Sequence, residues 1–162
     1  MTGTVVQVNV SRGGVPKREI PSGELTPSGI TGDAWRYRFH GGPKQAVLLL
    51  SIESIQELVA QGFPVYPGAL GENLTTQGLD RRALRFGQRL RVGGATIELT
   101  KMRQPCATLD VYGPGIQAAM YDARVVKGDP ESPLWGLSGF YASVVTPGTV
   151  RPGDAVYVVA GL

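Results

Sequence analysis

The chain has 162 residues, the length of one ordinary domain, and 42% of them are hydrophobic, enough to close a core without a metal or a disulfide. Its net charge of +3 is spread thinly, with no run of Lys or Arg longer than two, which speaks for solubility and against a nucleic-acid surface. The longest apolar run, Ala46 to Leu50, is too short to span a membrane, no secretory signal opens the chain, and the single cysteine, Cys106, excludes an internal disulfide, so the expected compartment is the reducing cytoplasm.

With 23 glycines and 12 prolines the chain must turn often, which favours short strands over long helices. Val6, Val8 and Val10 alternate with Gln7 and Asn9, the period of a half-buried strand, and Ser11-Arg12-Gly13-Gly14-Val15-Pro16 stops it. Trp35, Tyr37 and Phe39 alternate with Arg36 and Arg38, which predicts a strand over 34–39, and Ala46 to Leu50 reads as a segment buried on both faces. Helix 52–61 is the best marked: Ser51 caps it, Ile52, Ile55, Leu58 and Val59 share a face, and Gly62 ends it. A loop from Pro64 to Gly78 precedes two alternating runs, Leu90/Val92 and Ala95/Ile97/Leu99, joined as a hairpin by Gly93-Gly94. Residues 116–126 predict a helix with Ile116, Ala119, Met120 and Ala123 inward, 127–138 a loop, and 141–145 a second hairpin with 155–159. The expected fold is a single domain over 1–162, mostly β and mainly antiparallel, with one or two peripheral helices. Closure into a barrel would remove exposed edges, although strand count alone does not separate barrel from sandwich.

Three segments carry candidate chemistry. Cys106 follows Thr100-Lys101-Met102-Arg103-Gln104-Pro105, past a predicted strand end, where a thiol beside Arg ionises more easily than one sealed in a core; an isolated cysteine is more often a small core hydrophobe. His40-Gly41-Gly42-Pro43-Lys44 reads either as an anion nest or as a plain turn. The loop Pro67 to Gly78 packs amide, carboxylate and hydroxyl groups without matching a phosphate-loop or dinucleotide pattern. One His and one Cys fall short of an ordinary zinc site, no Gly-x-Ser-x-Gly elbow is present, and Arg81, Arg82, Arg85, Arg89 and Arg91 share no helical face, so they read as solvated surface.

Taken together and in order, these segments resemble the MOSC domain, the module named after the C-terminal part of molybdenum cofactor sulfurase, in its small single-domain bacterial form. The resemblance covers nearly the whole chain. It runs through Gly14-Val15-Pro16-Lys17, Gly29-Ile30-Thr31-Gly32-Asp33, His40-Gly41-Gly42, Gly71 to Leu79, Arg103-Gln104-Pro105-Cys106, and Gly139-Phe140-Tyr141 through Gly148 to Pro152-Gly153-Asp154. It implies a β-barrel and a molybdenum cofactor with the sulfur of Cys106 on the metal; the family at large is also associated with pyridoxal phosphate. A thiolate is a soft, strongly donating ligand suited to such a metal. The implied holders of the cofactor are Lys17, His40, Asn73, Thr75 and Arg103, with Lys44 beside them, and Arg103 leads because its fork grips phosphate.

Enzymes of the family reduce N-hydroxylated compounds such as hydroxylaminopurines and amidoximes, so the resemblance implies a small-molecule N-hydroxylated substrate and a separate flavin or iron–sulfur protein as electron donor. No nucleic-acid or membrane partner is implied, and the expected state is monomer or homodimer. Two departures stand out: Lys44-Gln45 occupies a place where many relatives carry an acidic residue then a basic one, and 107–138 matches poorly, which makes it a candidate for substrate specificity. Two further functions remain open: a carrier of cofactor or of a Cys106 persulfide, and a metal-free thiol enzyme using Cys106 with His40.

Overall fold

The structure is a computed structural model and describes residues 1–34 and 42–159. The expected strand at 34–39 falls, but for Ala34, outside the described residues, as does His40. The elements run β1 (Thr2–Val10), β2 (Arg18–Ile20), β3 (Gly23–Thr26), β4 (Gly29–Ile30), β5 (Val47–Ser51), α1 (Ile52–Ala60), β6 (Leu74–Gln77), β7 (Arg89–Val92) and β8 (Ala95–Met102). They continue as α2 (Ile116–Met120), α3 (Ala123–Val126), β9 (Phe140–Thr146), β10 (Gly148–Val150) and β11 (Ala155–Val158). Strands β11-β7-β8-β9-β5-β6-β1 lie side by side in that order and β1 returns to β11, so the sheet closes into a barrel; β2 adds to β1, and β10-β3-β4 form a small second sheet. Closure satisfies strand edges that a sandwich would expose. No helix among the described residues is long and apolar enough to cross a membrane.

The barrel is mainly antiparallel, as expected, with one parallel pair, β5 with β6. A parallel pair needs a crossover, and α1 supplies it. Ser51 caps α1 by accepting from the Ser54 N–H at 3.1 Å, and Ile55 and Leu58 are buried while Val59, expected inward, is 49% exposed. The continuous apolar run of β5 is explained by two cores: Val47 and Leu49 enter the barrel interior, and Leu50 packs outside it with Ile55, Leu58, Leu70, Leu109 and Ile116. Burying each such side chain stabilises by about 1.5–3 kcal/mol. β6 was hidden in the sequence because Leu74-Thr75-Thr76-Gln77 lacks an apolar alternation, yet Thr75 and Thr76 are buried.

The hairpin at Gly93-Gly94 forms as predicted between β7 and β8. The second predicted hairpin does not form. β9 pairs with β5 and β8, whereas β11 pairs with β1 and β7, because β10 leaves the barrel to pair with β3 between them. Only glycine fits at position 148, where a Cβ would stand 2.2 Å from the carbonyl oxygen of Gly94. The predicted helix over 116–126 is two short helices: Tyr121 is extended and Asp122 caps α3 by accepting from the Val125 N–H at 2.9 Å, which leaves Ala123 exposed rather than inward. Residues 127–138 are turns, as expected, but Trp135 anchors them in the core through its ring N–H on the Leu84 carbonyl at 2.9 Å. Arg81 is not simply solvated, since it donates to the carbonyls of Trp135 and Pro133; Arg89 pairs with Glu98 at 3.1 Å on the surface.

Candidate functional site

Two β-bulges aim the chain at one end of the barrel. In β1 the register with β6 shifts between Val5 and Gln7, so the burial expected of Val6, Val8 and Val10 falls instead on Val5, Val8 and Asn9. The bulge turns a polar side chain inward: Asn9 donates to the Glu72 carbonyl and to the Thr75 hydroxyl, both at 3.1 Å. In β8 the register with β9 shifts between Leu99 and Lys101, which places Lys101 opposite Tyr141 and Met102 opposite Phe140. Bulges of this kind re-aim side chains beside functional sites.

Beyond the second bulge the chain enters Arg103-Gln104-Pro105-Cys106. The Arg103 N–H bonds the Gly139 carbonyl at 2.9 Å, and its buried guanidinium donates to the carbonyls of Leu70 at 2.7 Å and Ser138 at 3.4 Å. Cys106 opens a 3₁₀ turn over Ala107–Tyr112; its half-buried Sγ lies 2.8 Å from the Thr108 hydroxyl. Opposite lies the 67–73 loop, pinned by the Gly68 N–H on a Glu72 carboxylate oxygen at 3.0 Å and by the Lys17 N–H on the Gly68 carbonyl at 2.8 Å. Gly68, at φ +91°, passes so close to Lys17 that a Cβ would stand 2.2 Å from its carbonyl oxygen.

Between these segments is a cavity of about 540 Å³, within the range of small-molecule sites. Cys106, Arg103, Lys17 and Asn73 line it together. Among the described lining residues Lys17, Lys101 and Arg103 are cationic and none is Asp or Glu. Lys17 is neutralised from behind: its Nζ meets Asp33 at 2.6 Å, and the same carboxylate accepts from the Ser11 N–H at 2.9 Å and from the Asn73 amide at 2.8 Å. Asn73 in turn accepts from the Leu48 N–H at 3.0 Å, tying loop to barrel. Thr75 points elsewhere: its hydroxyl donates to Glu72 at 2.8 Å inside the barrel wall and does not line the cavity. Lys44 is exposed in a 3₁₀ turn over Pro43–Gln45 and also does not line it. Tyr121 and Phe86 line the cavity without any local sequence signal; Lys101, Met102 and Tyr141 lie in segments that the sequence marks, and the bulge and the loop packing turn them to the cavity.

The electrostatics favour a negative guest. Burial pulls the Arg103 pKa below the ordinary guanidinium value, against the neighbouring Tyr141, Cys106 and Glu72, so an anion in the cavity restores charge compensation that solvent no longer provides. Burial pushes the Glu72 carboxyl above the ordinary carboxylate range, against the Gly68 N–H, the Thr75 hydroxyl and Arg103, and one of its oxygens is buried without a hydrogen-bond partner. A raised folded-state pKa contributes stability that is complete below the unfolded pKa and is lost as pH rises through the folded value. Glu72→Gln keeps the shape without the charge, so its stability relative to wild type is expected to increase as pH rises from about 4 to about 8. Urea midpoints of the two proteins across that range check this, and a difference that stays constant would show that Glu72 titrates normally.

A family model described as the MOSC domain matches residues 36–157. The uncharacterized protein YflK of Bacillus subtilis (strain 168) is 30% identical over 117 residues, 70% of this chain, and the match spans only 48% of that relative's length. Among solved structures, YiiM from Escherichia coli aligns with a TM-score of 0.72 at 26% identity, covering 100% of this chain and 71% of that one. YiiM from Geobacillus stearothermophilus aligns at 0.72 and 23% identity, covering 98% and 75%. The YUAD protein from Bacillus subtilis aligns at 0.73 and 22%, covering 100% and 98%; these last two are likenesses of fold.

Proposed function

The chain belongs to the MOSC domain family, which is associated in general with the molybdenum cofactor, and from that premise we propose that its cavity holds this cofactor with Cys106 as protein ligand to the metal and that it reduces N-hydroxylated compounds. The observation that carries the reading is that the single thiol of the chain opens on the same cavity as a buried guanidinium, with no carboxylate among the described lining residues. The donor set fits the group. Among the described residues no cluster of three His, Cys, Asp or Glu side chains could hold a bare metal ion, so a metal here must bring most of its ligands with it, and one soft sulfur is what the protein adds. Pyridoxal phosphate fits less well, since of the cavity's lysines Lys17 is locked onto Asp33 and Lys101 stands over the Tyr141 ring.

When bound, the molybdenum cofactor supplies a two-electron redox couple that accepts oxygen. The overall change is cleavage of the N–O bond of R–NH–OH with two electrons and two protons, leaving R–NH₂ and water. Arg103 offers fixed donors to an anionic group, Asn73 and the Lys17–Asp33 pair hold the opposite wall in place, and the half-buried Cys106 leaves room for substrate. The electrons come from a separate flavin or iron–sulfur protein.

The test is elemental analysis of protein made in a cofactor-producing host, combined with reduction of a hydroxylaminopurine or an amidoxime by artificial electron donors. About one molybdenum per chain with turnover is expected. Molybdenum without turnover would reduce the function to holding the cofactor, and sulfane sulfur on Cys106 without metal would replace the proposal with a sulfur carrier.

A further inference from the structure

We infer that Tyr141 is a binding residue of this cavity, its phenol O–H donating a hydrogen bond to an oxygen of the same anionic group that Arg103 and Cys106 face. This rests on the cofactor reading above. Tyr141 stands on β9 with its ring half-buried against the cavity, and its hydroxyl has no hydrogen-bond partner among the described residues. That hydroxyl is open to the cavity rather than sealed, since the buried polar atoms without a partner among the described residues are those of Glu53 and Glu72, so a guest that meets it replaces solvent and offers an acceptor beside a buried cation.

Its placement is built. Thr100 is the extra residue of the β8 bulge, and its hydroxyl donates to the Lys44 carbonyl, anchoring the bulge to the turn before β5. The shift sets Lys101 beside Tyr141, with Nζ 5.8 Å from the ring centroid, close enough for a cation–π contact. Tyr141 also interacts electrostatically with both Arg103 and Cys106, whereas Tyr121, the other tyrosine among the described lining residues, feels only its burial. Burial holds the Tyr141 phenol in its protonated form, so toward an anion it is a donor. Thr108, the remaining hydroxyl among the described lining residues, already meets the Cys106 sulfur at 2.8 Å.

Tyr141→Phe removes one oxygen and keeps the ring. Because Cys106 is the sole cysteine, its alkylation by iodoacetamide reports the cavity directly, and inorganic phosphate serves as the probe anion. Phosphate is expected to slow alkylation of the wild type, and Tyr141→Phe is expected to raise the phosphate concentration for half-protection about tenfold, with each protein referred to its own phosphate-free rate and with the melting temperature unchanged. Molybdenum content of the variant from a cofactor-producing host is expected to fall several-fold below wild type. Equal half-protection in the two proteins, or no protection of the wild type at all, would overturn the assignment. A wild type that retains molybdenum beside an equally protected variant defeats only Tyr141, whereas a wild type without molybdenum whose phosphate protection still depends on Tyr141 defeats only the cofactor reading.

Discussion

Asp33→Ala is expected to cost about 3–5 kcal/mol of folding stability, the loss typical of breaking a buried ion pair from one side. The Asp33 carboxylate is 1% exposed and gathers three donors: the Lys17 ammonium, the Ser11 N–H and the Asn73 amide. Removing it leaves an ammonium, itself 7% exposed, whose remaining partners among the described residues are only the Ser11 hydroxyl at 3.4 Å and the Ala34 carbonyl at 3.3 Å. Because most of the loss comes from the stranded charge rather than from the missing attraction, Lys17→Met in the Asp33→Ala background should recover part of it. A double-mutant cycle from urea unfolding therefore gives a coupling energy well outside additivity. A loss below about 1 kcal/mol for Asp33→Ala would mean that the pair is solvated in solution, contrary to its burial here. The same cut should loosen the cavity wall, since Asn73 joins Asp33 to the Leu48 N–H.

Cys106→Ser is expected to lower molybdenum content to less than about a tenth of wild type, because a hydroxyl is a harder and far weaker donor than a thiolate. Folding should be nearly untouched. The sulfur is half-buried and its one hydrogen-bond partner among the described residues, the Thr108 hydroxyl at 2.8 Å, is one that serine can also meet, so the stability change stays within about 1 kcal/mol. The two variants thus separate stability from retention: Asp33→Ala unfolds the wall of the site, whereas Cys106→Ser leaves a folded protein that no longer holds the metal. Undiminished molybdenum in Cys106→Ser, measured by elemental analysis on folded material, would remove Cys106 from the metal.

Much of the frame was legible in local pattern. The Gly93-Gly94 hairpin, the Ser51-capped helix and the doubly buried run before it are all where the periodicities put them, because each is decided by neighbours within a few residues. Val59 escaped because the apolar face of α1 is narrower than the sequence suggests: Ile55 and Leu58 fill the contact with the outer core and leave no surface for a further residue. The failed hairpin has a different origin. Nothing in 141–159 announces that Gly148-Thr149-Val150 will find its partner at Gly23–Leu25, far back in the chain.

For the site, the sequence by itself determined which residue types were at hand: one thiol, Arg103 next to it, and the Lys17 and Asn73 segments, all of which the structure brings to one cavity. Only the tertiary structure decided their duties. It gave Lys17 a buried counter-ion in Asp33, drew Thr75 into the barrel wall against Glu72, left Lys44 outside, and brought Tyr141 in through a one-residue bulge. The physical reason is the range of the forces involved. Periodicity and capping act over a turn or a strand, whereas desolvation, ion pairing and register between strands depend on residues tens of positions apart, and those distances exist only once the barrel has closed.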